Sequence, residues 1–291
     1  ALHLAGIVLD WKKNDIILIN SITFLATANS VLYNKAKLDF VDINRNNYNI
    51  DLSSLELKIK KYRNKKINVK AVIATDYAGQ PCDWKSLKKM SNKYKFQLVN
   101  DNCHSIGSKY YGDIGYATKY ADIVVHSYHA VKNITTGEGG AILTNNYKFF
   151  KKIKMLRTHG INKDKKYIDA PWFYEMEDLG YNYRISDIQC ALGFSQLKRL
   201  NKIVSERRKL AKKYDKAFSK NHNLIVPRVD NFIYHSYHLY PLQIKFKNLT
   251  KNKLHFYNYC KKNNIKLQVH YIPLHIQPFF KQRLSKFKNN L

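Results

Sequence analysis

The sequence is short of acid: 21 Asp and Glu stand against 51 Lys and Arg, which leaves a formal charge of +30 over 291 residues. It is also short of cysteine, with four, and of proline, with six. No apolar run approaches the about 20 residues that a membrane-spanning helix requires, and no basic-then-apolar leader opens the chain. The expectation is a soluble cytoplasmic protein without membrane contact. Cys82, Cys103, Cys190 and Cys260 lie far apart and never form a C-x-x-C pair, so reduced thiols are expected and no metal site.

The excess of positive charge raises nucleic-acid binding as a first thought. Its distribution argues against that reading. Lysine doublets such as Lys12-Lys13, Lys60-Lys61, Lys151-Lys152 and Lys212-Lys213 run along the whole chain among Asn, Ile and Tyr. A bias acting on every exposed position gives that pattern, and no zinc finger, aromatic RNA-binding signature or helix-turn-helix accompanies it. A cationic field does attract an anionic substrate.

What is present is a regular alternation. Short apolar runs at Asp15–Asn20, Leu38–Ile43, Val69–Thr75, Phe96–Asp101, Ala121–Ser127 and Gly139–Asn145 read as buried strands. Helical segments follow Thr27, Leu52, Asp83 and Asn146, which predicts an α/β unit on a mainly parallel sheet. Sites in such sheets gather at the carboxyl ends of strands, where Asp101, Ser127 and the loop holding Lys132 fall. From Ile185 to Ser219 apolar residues keep a helical period without proline, which predicts one long helix or two in series. Strand, helix and strand over HLYPLQIKF, KNKLHFYNYCKKNN and IKLQVHYI then predict a small α+β domain. The expected division is 1–184, 185–219 and 220–291. The chain opens inside an amphipathic segment and ends in a polar one, so the expectation is that both ends are incomplete.

SYHAVKNITTGEGG, from Ser127 to Gly140, sets one lysine in a glycine-bearing loop between two strands. A lysine that bonds an aldehyde cofactor needs a group to hold the ring, one to set its electronics and an anion site for its phosphate. Phe24, Asp101 and Ser127 are candidates for these. Taken singly, a strand-end Asp is as well read as a turn residue and Phe24 as core.

Read together and in order, SITFLATANSVLY, YAGQPCDW, VNDNCHSIGSKYYG, HSYHAVKNITTGEGGAILTN, LGYNYRISDIQCALGFSQLKRL and VHYIPLHIQP resemble the DegT/DnrJ/StrS family of sugar aminotransferases, in register from Ala1 to about Phe280. The resemblance implies fold type I of the pyridoxal-phosphate enzymes, like aspartate aminotransferase, and pyridoxal 5'-phosphate as cofactor. It is strongest toward the PseC-type branch, which aminates C4 of a UDP-linked 4-keto-6-deoxy-N-acetylhexosamine with L-glutamate as donor.

The same resemblance implies roles. Lys132 is the lysine that bonds the cofactor, Asp101 the partner of its ring nitrogen, His104 a neighbour of the ring, Ser127 a phosphate ligand and Phe24 the stacking aromatic. Asn182 reaches the phosphate of a neighbouring subunit, which implies a homodimer with shared sites. Gln80, Arg184 and the stretch His270, Tyr271, Ile272 and Pro273 face substrate. His104, His270 and Tyr271 are also readable as core residues, and Arg157 and Arg184 either bind substrate or hold loop carbonyls. The family's Gly-Thr pair before the first helix and the end of its small domain are missing, and Asn20 and Asn100 replace a proline and an acid. Retention of lysine at 132, where sugar dehydratases of the family carry histidine, favours transamination. Rival readings are amination at C3, a GDP- or dTDP-linked sugar, and an inactive scaffold subunit.

Overall fold

The computed structural model describes residues 1–162, 170 and 172–288. In chain order the first part runs α1 (Leu2–Val8), β1 (Ile16–Asn20), α2 (Leu25–Tyr33), β2 (Lys37–Val41), α3 (Leu52–Asn64), β3 (Val69–Thr75), α4 (Trp84–Tyr94), β4 (Gln97–Asp101) and β5 (Lys109–Tyr110). It continues with α5 (Tyr116–Tyr120), β6 (Ile123–Ser127), β7 (Gly140–Leu143), α6 (Tyr147–Leu156), β8 (Ile161–Asn162) and β9 (Glu175–Met176). Then come α7 (Asp187–Lys198), α8 (Leu200–Phe218), β10 (Leu224–Ile225), β11 (Ile233–Tyr234), β12 (Gln243–Ile244), α9 (Lys253–Lys262) and α10 (Pro278–Lys288).

Six strands form one sheet in the order β2-β1-β3-β4-β6-β7. All neighbours are parallel except β6 and β7, which run antiparallel. The sheet is apolar on both faces because helices cover both, as a parallel sheet requires. Side chains alternate by strand period: Ile16 and Leu18 join one core with Leu55, Trp84 and Leu87, while Ile17 and Ile19 join another with Leu4, Val31 and Leu156. Each such fully buried aliphatic contributes roughly 1.5–3 kcal/mol.

Helix starts follow their caps. Asp51 accepts Ser54 N–H at 2.7 Å at the head of α3, and Asn146 accepts the N–H groups of Lys148 and Phe149 at the head of α6. Ser186 and Gln189 cap α7 reciprocally. The predicted long helix is thus two in series, α7 and α8, meeting at Arg199.

The chain beyond α8 departs from expectation. Of HLYPLQIKF only Gln243–Ile244 is a strand, pairing with β10, while β11 pairs with β5 of the first part. Residues 265–272 form no strand with any described residue: Ile265, Val269 and Ile272 stay about half exposed, and an extended segment without a partner has no ladder to join. No helix among the described residues is long and apolar enough to cross a membrane.

Candidate active site

Strand order reverses between β1 and β3, and the crevice outside their carboxyl ends is where a doubly covered sheet places a ligand. Hydroxyls line it: Thr23 lies 3.0 Å from Thr75 and 3.2 Å from Thr27, whose Oγ1 donates to Asp101 Oδ2 at 2.6 Å. Asp101 ends β4, 4% exposed, and its Oδ1 receives the Cys103 N–H, at 3.3 Å. One carboxylate oxygen is therefore fixed and the other has lone pairs to spare.

The lysine loop is an excursion between the antiparallel β6 and β7. Tyr128 N–H donates to Gly139 O and Thr136 N–H to Tyr128 O, both at 2.9 Å, closing its neck. Asn133 and Ile134 are buried and anchor it from within, Asn133 donating to Ile106 O at 3.1 Å. Lys132, next to these anchors, is half-buried, and no described residue hydrogen-bonds its amine. Burial pulls its basicity below that of a free lysine, opposed by the nearby Cys103 and Asp101.

The Lys132 charge is felt in turn by three imidazoles. Burial first, then Lys132, holds His104 well below the ordinary histidine range, brings His238 down to about 3, and lowers His270. His104 Nδ1 accepts the Ala78 N–H at 3.2 Å, which makes Nε2 the protonated nitrogen facing Tyr271 OH at 3.2 Å. Tyr77 OH donates to His270 O, and Phe24 lies 6.1 Å from Tyr271 between ring centroids, so strand ends and the 270–271 segment close one wall. Leu274 N–H to Ser21 O, at 2.9 Å, ties that segment to the end of β1.

Beneath the wall sits a carboxylate that sequence reasoning missed. Asp76, wholly buried just past β3, accepts Cys82 N–H at 2.7 Å and Trp84 Nε1–H at 2.9 Å on one oxygen. Its other oxygen accepts Tyr116 OH at 2.7 Å, Asn102 at 2.8 Å and Asn100 at 3.2 Å. Its backbone N–H donates to Asp101 O at 3.2 Å. Asp76 therefore fixes the strand end and the turn that carry Asp101 and His104. A strand-end acid one residue past VKAVIAT was the available signal.

The structure brings Lys132, Asp101, His104, His270, Tyr271 and Phe24 into one neighbourhood, with Phe24 at its rim, 56% exposed. Ser127 ends β6 beside Gly140, its Oγ accepting the His129 N–H at 3.4 Å. Gln80 is buried with its amide nitrogen unpartnered. Ile272 is exposed and Pro273 half-buried at the start of a single 3-10 turn. Asn182 and Arg184 are exposed on the segment before α7, where Asn182 bridges to Thr158. His238 was also missed: its stretch read as a strand of a separate domain, whereas Leu239 N–H donates to Ala78 O at 3.1 Å and sets it against the site.

The family model for the DegT/DnrJ/EryC1/StrS aminotransferases matches residues 1–291. A UDP-4-amino-4,6-dideoxy-N-acetyl-beta-L-altrosamine transaminase from Campylobacter jejuni is 37% identical over 289 residues, 99% of this chain and 73% of that protein. GDP-perosamine synthase from Escherichia coli O157:H7 is 26% identical over 98% of this chain and 73% of its own length. Among solved structures, Helicobacter pylori PseC, an aminotransferase of pseudoaminic acid biosynthesis, superposes with a TM-score of 0.83 at 31% identity, covering 98% of this chain and 74% of that one. The strand-end carboxylate, the lysine amine that no described residue pairs and the type I α/β frame thus occur in a chain that belongs to the DegT/DnrJ/EryC1/StrS family of pyridoxal-phosphate-dependent nucleotide-sugar aminotransferases.

Proposed function

We propose that this aminotransferase moves an amino group from L-glutamate to C4 of a UDP-linked 4-keto-6-deoxy-N-acetylhexosamine, a step toward a pseudaminic-acid-type surface sugar. The carrying observation is an amine, Lys132, with lowered basicity and no hydrogen-bond partner among the described residues, within electrostatic reach of a buried carboxylate with one oxygen held by Thr27 and the other by a long bond from the Cys103 N–H. That pair fits pyridoxal phosphate, whose ring nitrogen needs an anionic acceptor and whose aldehyde needs a free amine. Similarity to the transaminase of Campylobacter jejuni supports the choice of sugar.

When bound, the cofactor supplies an aldehyde carbon that stores the amino group between two substrates and a ring that withdraws electrons. Asp101, held by Thr27, keeps the ring nitrogen protonated. Lys132 would hold the cofactor through its amine and, once free, would take the proton from the donor's Cα and release it within the same half of the transfer, acting again in the reverse sense for the sugar; lowered basicity suits an amine that must accept and release a proton near neutral pH. His104 stays neutral and, with Tyr271, fixes the wall beside the reacting carbon. Ser127 offers its hydroxyl to the phosphate, Phe24 its ring face to the cofactor, and Gln80 and the 270–273 segment face the sugar. Residues 1–184 serve as the cofactor-binding domain, 185–219 as the connecting helices and 220–291 as the small domain.

The site is completed by a second copy, with Asn182 reaching across. Helix α7 buries none of its residues, and Ile188, Phe194 and Leu197 are 84%, 63% and 52% exposed, apolar surface spread around the helix that a monomer rarely leaves open. Ile188→Glu with Phe194→Glu is expected to turn a dimer into a monomer in sedimentation velocity and to weaken cofactor retention together with it. A double variant that sediments as the wild type contradicts the placement of the interface.

The test of the reaction is incubation of the holoenzyme with L-glutamate and the UDP-linked 4-keto sugar, with the product analysed by NMR. A new C–N bond at C4 supports the proposal. Turnover confined to a GDP- or dTDP-linked sugar, or amination at C3, replaces it with the corresponding rival.

A further inference from the structure

Residues 235–239 reach the site from the far end of the chain and are clamped there. Arg207 Nη1, from α8, donates to Tyr237 O at 3.1 Å and His238 O at 3.2 Å. On the other side Ser236 N–H donates to Gly79 O at 3.0 Å. The approach leaves no room for a side chain: a Cβ on Gly79, at φ 103°, would lie 2.6 Å from Ser236 Oγ and 2.8 Å from Tyr237 N. His238 is thus fixed beside the Ala78-Gly79-Gln80 turn, with its ring centroid 4.5 Å from that of His104.

So much fixing leaves the functional end of the side chain idle. His238 is 7% exposed, its Nδ1 is buried without a partner, and no described residue hydrogen-bonds either ring nitrogen. Gln80, on the adjoining turn, is 2% exposed and its amide nitrogen is unpartnered too. A buried polar group without a hydrogen bond is costly, so two of them, on the turn beside His104 and on the segment packed against that turn, call for a ligand.

We infer that His238, with Gln80, forms a subsite for a neutral polar substituent of the hexose ring, a hydroxyl or the carbonyl of an acylamino group, and so selects the sugar. The inference rests on the proposed sugar-aminotransferase reaction. Burial, Lys132, Arg207 and His270 keep the imidazole uncharged at working pH, so it offers a hydrogen bond and no ion pair. A carboxylate or phosphate needs a cation, and the nearest guanidinium, Arg207, is committed to two carbonyls. Lys132 acts on His238 electrostatically, so the substituent it meets belongs to the ring that carries the reacting carbon and not to the distant nucleotide.

The test separates the two half-reactions in His238→Phe, which keeps a ring and removes both nitrogens, and in His238→Asn, which keeps a short amide. The reaction with L-glutamate, followed by the loss of cofactor absorbance, is expected within about twofold of wild type in both. For the UDP-linked 4-keto sugar, KM is expected to rise about 10–100-fold in the Phe variant, the loss of one or two hydrogen bonds, and to be partly restored by Asn. Calorimetric Kd values for the aminated product should move with KM. An unchanged sugar KM, an equal loss in both halves, or a shifted cofactor spectrum overturns the subsite. If the wild type itself turns over no keto sugar, the parent reaction falls and the subsite with it, whereas wild-type turnover with an indifferent variant condemns the subsite alone.

Discussion

Lys132→Ala removes transamination and leaves the fold intact. The amine moves the proton in both halves of the proposed reaction, and loss of a positioned acid-base group costs about 10²–10⁴-fold before its covalent role is counted. Turnover is therefore expected to fall below detection. Stability is a separate matter, because the side chain is half-buried and its amine bonds no described residue. The loop keeps its closure through Tyr128, Asn133, Thr136 and Gly139. The expected result is a thermal midpoint within a degree or two of wild type, since a change of about 0.5 kcal/mol shifts it by no more. Residual turnover near the wild-type rate contradicts the assignment, whereas an unfolded variant contradicts the account of the loop.

Asp76→Asn produces the largest expected loss of stability. The substitution turns an acceptor oxygen into a donor amide in front of the donors of Asn100, Asn102 and Tyr116, or of Cys82 and Trp84. Breaking a buried charged network costs about 3–5 kcal/mol, and unfolding in urea should show a loss of that order. The pH dependence is diagnostic. Burial pushes the Asp76 carboxyl up to about 6, against the hydrogen bonds of Cys82, Tyr116 and Asn100, which favour its ionised form. In the unfolded chain it titrates near 3.9.

A carboxyl raised on folding binds its proton more tightly in the native state. Its contribution is greatest below pH about 4 and is lost as pH rises through about 6, a difference on the order of 3 kcal/mol. Partly exposed carboxylates such as Glu56, held at about 2 by hydrogen bonds from Tyr94 and Lys93, act in the opposite sense. The wild-type minus Asn difference isolates Asp76: the variant's deficit should be larger at pH 4 than at pH 7. A deficit independent of pH contradicts the assignment of the titration to this residue.

The sheet was legible because its central strands β1, β3 and β4 are short apolar runs closed by a polar residue, Asn20, Thr75 and Asp101, and their length and β-branched content mark them as strands where burial on both faces removes the alternation. Helix starts were legible at Asp83 and Asn146, whose side chains compete for backbone N–H groups only where a helix begins, while the start read after Leu52 falls just past its cap, Asp51. Lys132 and Asp101 were named through resemblance, and spacing by itself left each with a structural alternative. What was not legible depends on contacts distant in sequence. His238 is placed by Arg207 and by the Ala78-Gly79 turn, about 160 residues away along the chain. Asp76 gathers donors from three different stretches, and no local pattern announces a convergence of that kind. The segment 265–272 has the β-branched content of a strand, yet strand formation is decided by a neighbour, and none of the described residues supplies one.

The most direct measurement is borohydride reduction of the protein after reconstitution with pyridoxal phosphate, followed by peptide mass spectrometry. A pyridoxyl group on Lys132 and on no other of the chain's lysines is the predicted result, since no described residue pairs with that amine and the buried carboxylate of Asp101 lies within its electrostatic reach. Modification spread over exposed lysines, with Lys132 untouched in a folded, cofactor-saturated protein, would contradict the account at its centre.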